Sequence, residues 1–291
     1  MKSILITGCS SGIGLDSALA FHDAGWLVIA SCRKEADCET MRSTHGMQSV
    51  RIDYEDEPSI RAGFEASLEI TGGELDVLFN NGAYAVPALV EDLPTDALRA
   101  IFEANFFGWH SLTRLAISQM RQQKEGRIIQ NSSVLGFAPL KFRGAYNATK
   151  FALEGLTDTM RLELHRTNIH LILVEPGPIR TKIRENAYAQ FQRWINWQEA
   201  ARKSWYENVV IPHLSAIDPP PETFELMPDA VTRVVMHAAT VPRPKLRYRV
   251  TTGTTLMMIF RRILTSRAYD RLARRLQQQS SSDYIRRTLQ R

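Results

Sequence analysis

The 291 residues, 44% of them hydrophobic and 23% charged, are enough to bury a sizeable core and too ordinary in composition for a disordered or fibrous chain. Three cysteines, Cys9, Cys32 and Cys38, are too few and too clustered for a disulfide framework, and they lack the partners of a zinc site; free thiols in a reducing cytoplasm and no bound metal are expected. No run of 18 apolar residues exists, which excludes a spanning helix, and the net charge of +5 gathers in nine arginines against two aspartates beyond residue 260, so the remaining body is weakly acidic.

From the N-terminus, "SILITG" reads as a strand by residue 3, where a secretory leader would need an apolar helix. Further strands are expected at "WLVIAS", "SVRID", "LDVLFN", "GRIIQNSS", "IHLILVEP" and "LRYRV". Several are almost continuously apolar, as strands covered on both faces must be. Helical patterns lie between them at about 13–24, 57–70, 96–123, 147–167 and 229–239. This alternation predicts one α/β domain, a doubly wound parallel sheet of about seven strands with right-handed crossovers, over residues 1–253. Two regions break the rhythm: an aromatic-rich insertion at 180–227, and an extension at 254–291 that carries the basic excess.

After the first strand, "ITGCSSGIG" places Gly8, Gly12 and Gly14 at the mouth of a helix, where glycines permit close backbone approach and the helix end favours an anion. Its G-x3-G-x-G spacing is joined by "NNGA" at 80–83, Asn105 in a helix, "SS" at 132–133, Tyr146 with Lys150, and "PGPIRT" at 176–181. In order and spacing this set resembles the short-chain dehydrogenase/reductases over roughly residues 3–250, in particular the hydroxysteroid and retinol dehydrogenase-like branch with its bacterial aldehyde reductases. The resemblance implies a single-domain Rossmann-type fold. One departure is visible: the family usually reads Asn-Asn-Ala-Gly where this chain has Gly82 before Ala83.

The resemblance also implies a nicotinamide dinucleotide cradled by Gly8, Ser10, Ser11, Gly12, Ile13 and Gly14, with Asp53 on the adenine and Asn80 beside the nucleotide. Pro176, Gly177, Ile179 and Thr181 would then wall the nicotinamide side. At the end of strand two, Cys32 stands where NAD-preferring members carry Asp, and Arg33 follows. A guanidinium suits a 2′-phosphate, so NADP(H) is the expected cofactor.

Tyr146 and Lys150 are i and i+4 and share a helix face. Taken alone they are as easily a packed aromatic and a solvated amine. Beside Ser133, thirteen residues upstream, they have a chemical reading. A cation lowers a phenol's pKa, the tyrosine protonates the oxyanion formed by hydride transfer, and the serine hydroxyl stabilises it. By resemblance Lys150 also holds the cofactor ribose, and Asn105 keeps a water in the proton relay. The expected reaction is NADP(H)-dependent interconversion of a lipophilic aldehyde or ketone and its alcohol. Alternatives left open are an NAD-dependent alcohol or hydroxysteroid dehydrogenase and a non-catalytic dinucleotide-binding regulatory protein.

The insertion, with Phe191, Trp194, Trp197, Trp205 and Tyr206, reads as a partly helical lid over an apolar substrate site, with Leu135, Phe137 and Phe142 as further lining candidates; most of these aromatics could equally be core. In the extension, Leu256, Ile259, Phe260, Ile263, Leu264, Ala268, Leu272 and Leu276 form one helical stripe flanked by arginines. Such a helix suits either an anionic membrane surface or packing on the body or on a second subunit of a homo-oligomer. With no recognised module beside it, nucleic acid is not an expected partner.

Overall fold

The computed structural model describes residues 1–216 and 220–276. In chain order the elements are β1 Ser3–Thr7, α1 Gly12–Asp23, β2 Leu27–Cys32, α2 Glu35–Ser43, β3 Gln48–Arg51, α3 Glu57–Thr71 and β4 Val77–Asn80. There follow α4 Thr95–Phe102, α5 Gly108–Gln123, β5 Glu125–Asn131, α6 Gly144–Glu163 and β6 Asn168–Glu175. The lid holds α7 Ile183–Trp194, α8 Lys203–Trp205 and α9 Ile211–Ser215, after which come α10 Pro228–Thr240, β7 Arg247–Arg249 and α11 Thr252–Ile263. The seven strands form one sheet in the order β3-β2-β1-β4-β5-β6-β7, every neighbouring pair parallel.

The near-continuous apolar strands are explained by two cores, one on each face. Ile4 and Ile6 point to the side packed by α1, α2 and α10, where Phe21, Met41 and Val235 lie. Leu5 points to the other, against Phe64 of α3, Leu112 of α5 and Met160 of α6. Strand order reverses between β1 and β4, and their carboxyl ends open the crevice in which this topology binds ligands.

A third cluster lies above the strand ends and contains most of the lid. Phe191 and Tyr206 are buried there with Ala97 and Ile101 of α4 and Tyr146 of α6, while Trp194, Trp197 and Trp205 pack on its margin. The Tyr206 hydroxyl donates to Asp92 at 2.7 Å and accepts from the Leu89 backbone at 3.0 Å, tying lid to body. The insertion is therefore partly helical, and its aromatics are packed as core.

The 96–123 pattern is continuous but not uniform, because a π-helical stretch at Glu103–Phe107 joins α4 to α5. The stripe expected beyond residue 254 is also divided. Residues 252–263 and 266–276 are helical with a break between them, and Leu256, Ile259, Ile263 and Leu276 are exposed. Tyr269, outside that stripe, is buried, with the Arg261 guanidinium 5.2 Å from its ring centre. The last three arginines of the extension, and lid residues 217–219, lie outside the described residues. No helix among the described residues is long and apolar enough to cross a membrane.

Candidate active site

A cleft of about 820 Å³ runs along the carboxyl ends of the strands, from the glycine turn to the lid. Its floor at one end is the turn after β1. Gly8 and Gly12 hold φ of +70° and +58°, which L side chains rarely adopt. Gly14 lies off the cleft, yet a Cβ there would stand 2.2 Å from the Gly8 carbonyl oxygen, so its role is close packing of α1 on the turn. Ser10, Ser11 and Ile13 line the cleft. So do Pro176, Gly177, Ile179 and Thr181 from the loop after β6. That loop reaches over the turn: a Cβ on Gly12 would come within 3.0 Å of Thr181 Cγ2.

The reversed Gly82–Ala83 pair has a geometric reading. A Cβ on Gly8 would meet Gly82 Cα at 2.7 Å, whereas a Cβ on Gly82 would meet Gly8 Cα at an ordinary 3.4 Å. The close approach is thus borne by Gly8. Gly82→Ala should change the melting temperature by no more than about 2 °C, while Gly8→Ala, strained in φ and clashing with backbone, should cost about 2 kcal/mol or more and loosen dinucleotide binding. Thermal melts of the two variants test this, and equal losses would contradict it.

At the end of β2 the Cys32 thiol is buried and its pKa is pushed up to about 12, by burial first and the neighbouring Cys38 next. Arg33 and Lys34 are exposed beside it and both line the cleft, as does Asp37. Glu35 is turned away into an ion pair with Arg42. Asp53 lines the same end, its Oδ1 accepting from the Glu55 backbone at 3.2 Å.

Asn80 is not on the cleft wall. Fully buried, it accepts from the Tyr54 hydroxyl at 2.7 Å and donates to Thr113 and Gln130 at 3.0 Å each. Strand alternation turns it inward and presents Asn81, which lines the cleft, donates to the Thr7 carbonyl at 3.0 Å and accepts from Asn131 at 2.8 Å. Of the two asparagines it is therefore Asn81, not Asn80 as expected, that faces the cleft.

At the far end, Ser133, Leu135, Tyr146 and Lys150 share the wall. Ser133 Oγ caps the short turn after β5 by accepting from Leu135 N at 3.1 Å. Its hydroxyl also makes a hydrogen-bonding contact with the Tyr146 phenol. Ser132 Oγ is buried against α6, close to Glu154, as alternation requires. Burial drives the Tyr146 pKa up to about 12 against the downward pull of Ser133 and then Arg143. Lys150 Nζ lies 5.6 Å from the Tyr146 ring centre, and Arg143, three residues before the phenol and not singled out in sequence, is a second cation that pulls the phenol's pKa down.

Lys150 is 1% exposed, donates to the Asn131 carbonyl at 2.8 Å and lies 4.2 Å from the Trp109 ring centre. Burial pulls its pKa down to about 7, with the Glu154 charge pushing the other way. Trp109, also unforeseen, donates to the Gly82 carbonyl at 2.9 Å and so links the "NNGA" loop to the lysine. Asn105 sits off the cleft in the π-helical stretch. Its side chain donates to Tyr84 O at 2.8 Å, accepts from Tyr84 N at 3.1 Å and touches Thr149 of α6 at 3.5 Å. It clamps the loop facing α6. A π stretch is a frequent mark of a functional position.

Of the aromatics expected to line the substrate end, Phe137, Phe142, Phe191, Trp194, Trp197, Trp205 and Tyr206 are absent from the wall, which is formed instead by Leu135, Leu140, Ala187 and Leu214 with Arg143 and Arg184. Among the described residues no cluster of three His, Cys, Asp or Glu side chains is arranged to hold a metal.

Comparison with known proteins agrees with this geometry. Residues 2–192 match the model of the family described as short chain dehydrogenase. The chain is 38% identical to the uncharacterized oxidoreductase YbbO of Escherichia coli strain K12 over 93% of each chain. It is 30% identical to bovine (Bos taurus) retinol dehydrogenase 8, over 87% of this chain and 83% of that one. Among solved structures, the closed form of a serine dehydrogenase complexed with NADP+ superposes with a TM-score of 0.72 at 21% identity, over 87% and 95% of the two chains.

Proposed function

This chain belongs to the short-chain dehydrogenase family, and from that premise we propose that it is an NADP(H)-dependent oxidoreductase interconverting a lipophilic aldehyde or ketone and its alcohol. The observation that carries the reading is the meeting of Ser133, Tyr146 and Lys150 on one wall of the cleft whose opposite end is the glycine turn. The turn fits a dinucleotide: its two left-handed glycines leave backbone open to a pyrophosphate at the start of α1. When bound, the cofactor supplies or accepts the hydride.

The chain's own residues handle the proton. The neutral phenol of Tyr146 donates to the carbonyl oxygen as negative charge develops there, and Ser133 hydrogen-bonds the same oxygen. Lys150, on the cleft wall, would hold the ribose and return a proton to the phenolate. Asn105 fixes the 81–85 loop against α6, so that the cofactor side and the acid side keep their spacing. A pure binding protein has no use for this proton path, which speaks against the regulatory alternative.

Preference for the 2′-phosphate rests on Arg33 and Lys34 in the cleft with a buried thiol in place of an acid at position 32. Asp37 in the same corner favours the NAD-dependent alternative, but it shares that corner with two cations. With a reducible aldehyde, kcat/KM for NADPH should exceed that for NADH by about tenfold or more, and Arg33→Asp should reverse the order. Equal values in the parent, or an unchanged ratio in the variant, would refute the assignment.

A further inference from the structure

Two arginines stand at the lid end of the cleft, Arg143 before α6 and Arg184 in the first turn of α7. We propose that they seat an anionic oxygen group, a carboxylate or a phosphate, carried by the carbonyl substrate itself. This deepens the reductase reading and rests on it for Tyr146 as the reacting acid.

The pair is built at odds with local electrostatics. Arg143 holds the N-cap position of a twenty-residue helix, where the helix field disfavours a cation. It is positioned by a strained turn: Phe142 takes φ +64°, rare for a bulky residue, and is held there by stacking on Trp205 with ring centres 3.5 Å apart. The Phe142 carbonyl accepts from Ala88 N at 3.2 Å, and Arg143 itself bridges to Ala88. Strain of this kind collects at ligand sites.

The two cations also share one carboxylate. Glu222 pairs with Arg184 Nη2 at 3.2 Å and acts on Arg143 only through its charge. Arg184 Nη1 is buried and meets no acceptor among the described residues. A buried donor without an acceptor is costly unless something supplies one. The neighbouring Arg180 is matched by Glu225 at 3.5 Å. His213 adds no charge at neutral pH, since burial and then Arg184 and Arg143 push its pKa down to about 4. An anion at this place would give Arg184 Nη1 its acceptor and relieve the repulsion between the arginines. The apolar residues Leu135, Leu140, Ala187 and Leu214 leave room for a hydrocarbon part beside it.

The proposal is tested on the intact protein with NADPH. Oxo acids of four to nine carbons with a terminal aldehyde are compared with their methyl esters, and dihydroxyacetone phosphate with dihydroxyacetone. For at least one pair kcat/KM should favour the anion by about tenfold or more, the two arms telling carboxylate from phosphate. Arg184→Gln, which keeps a polar group for Glu222, and separately Arg143→Gln should bring that ratio to within about twofold. Melting curves identify any variant that fails to fold. Esters reduced as well as acids would overturn the anionic seat and leave the reductase reading intact. A weaker NADPH affinity with an unchanged ratio would assign the arginines to the cofactor and overturn it equally. If no aldehyde turns over but an oxo acid binds by calorimetry in an Arg184-dependent way, the seat stands and the reductase reading falls. Without turnover or such binding, the seat falls too.

Discussion

Tyr146→Phe should lower kcat/KM for carbonyl reduction by about 10²–10⁴-fold, the usual contribution of a positioned acid, while NADPH binding and melting temperature hold. The expectation follows from how little the substitution removes. The ring stays in its cluster with Ala145 and Phe191, and only the hydroxyl facing Ser133 is lost. The phenol's pKa of about 12 keeps it protonated throughout the neutral range, so it is a loaded acid in the reductive direction. What titrates near neutrality is Lys150, at about 7. Its ammonium fraction declines as pH rises through that value, so reduction should be level below about pH 7 and fall by up to tenfold per unit above it. Steady-state rates across pH with a fluorescence titration of NADPH check both parts. A phenylalanine variant that reduces aldehydes at the parent rate would transfer the acid role to another group.

The polar wall of the cleft was more legible in the sequence than its surroundings were. The glycine turn, the seven strands and the Ser133, Tyr146 and Lys150 wall all follow from local pattern, because turn, strand and i,i+4 geometry depend on residues close in sequence. What was misjudged depends on contacts between distant segments. Asn80 and Asn81 are equally plausible in sequence, and only the pleat decides which faces the cleft. The insertion's tryptophans read in sequence equally as ligand surface or as core; a segment of short helices needs its own core, and Phe142, Trp205 and Tyr206 supply it. Once those rings are inside, the positions left facing the cleft are arginines that read in sequence as solvated charge. Arg143 gave one local signal that could have been used: a cation directly before a helix is out of place by the dipole rule.

The second large effect concerns what stands behind Lys150. Arg247→Met should destabilise the fold by about 3–5 kcal/mol, the range found when one partner of a buried ionic cluster is removed. Arg247 joins β7 to α6 and β6 by bonds of 2.9 Å to Glu154, Asp158 and Glu175. Glu175, 1% exposed, is already pushed up to about 7 by burial and by the charge of Glu154, with Arg249 and Arg247 holding it down. Methionine fills the volume but leaves two buried carboxylates facing each other. A carboxyl raised in the folded state contributes stability that is complete below its unfolded pKa and is lost as pH climbs through the folded one. Removing Arg247 raises both folded values further, so the loss should be small near about pH 5 and grow toward pH 8. Urea titrations at several pH values measure this, and Glu175→Gln added to Arg247→Met should recover much of the deficit at the alkaline end. A penalty below about 1 kcal/mol, the same at every pH, would mean the cluster is a screened surface network. The consequence reaches the active site because Glu154 is the charge that holds the Lys150 pKa up. Once Glu154 takes up a proton, the ammonium loses that support, and the decline of the reductive rate should begin at lower pH in Arg247→Met than in the parent.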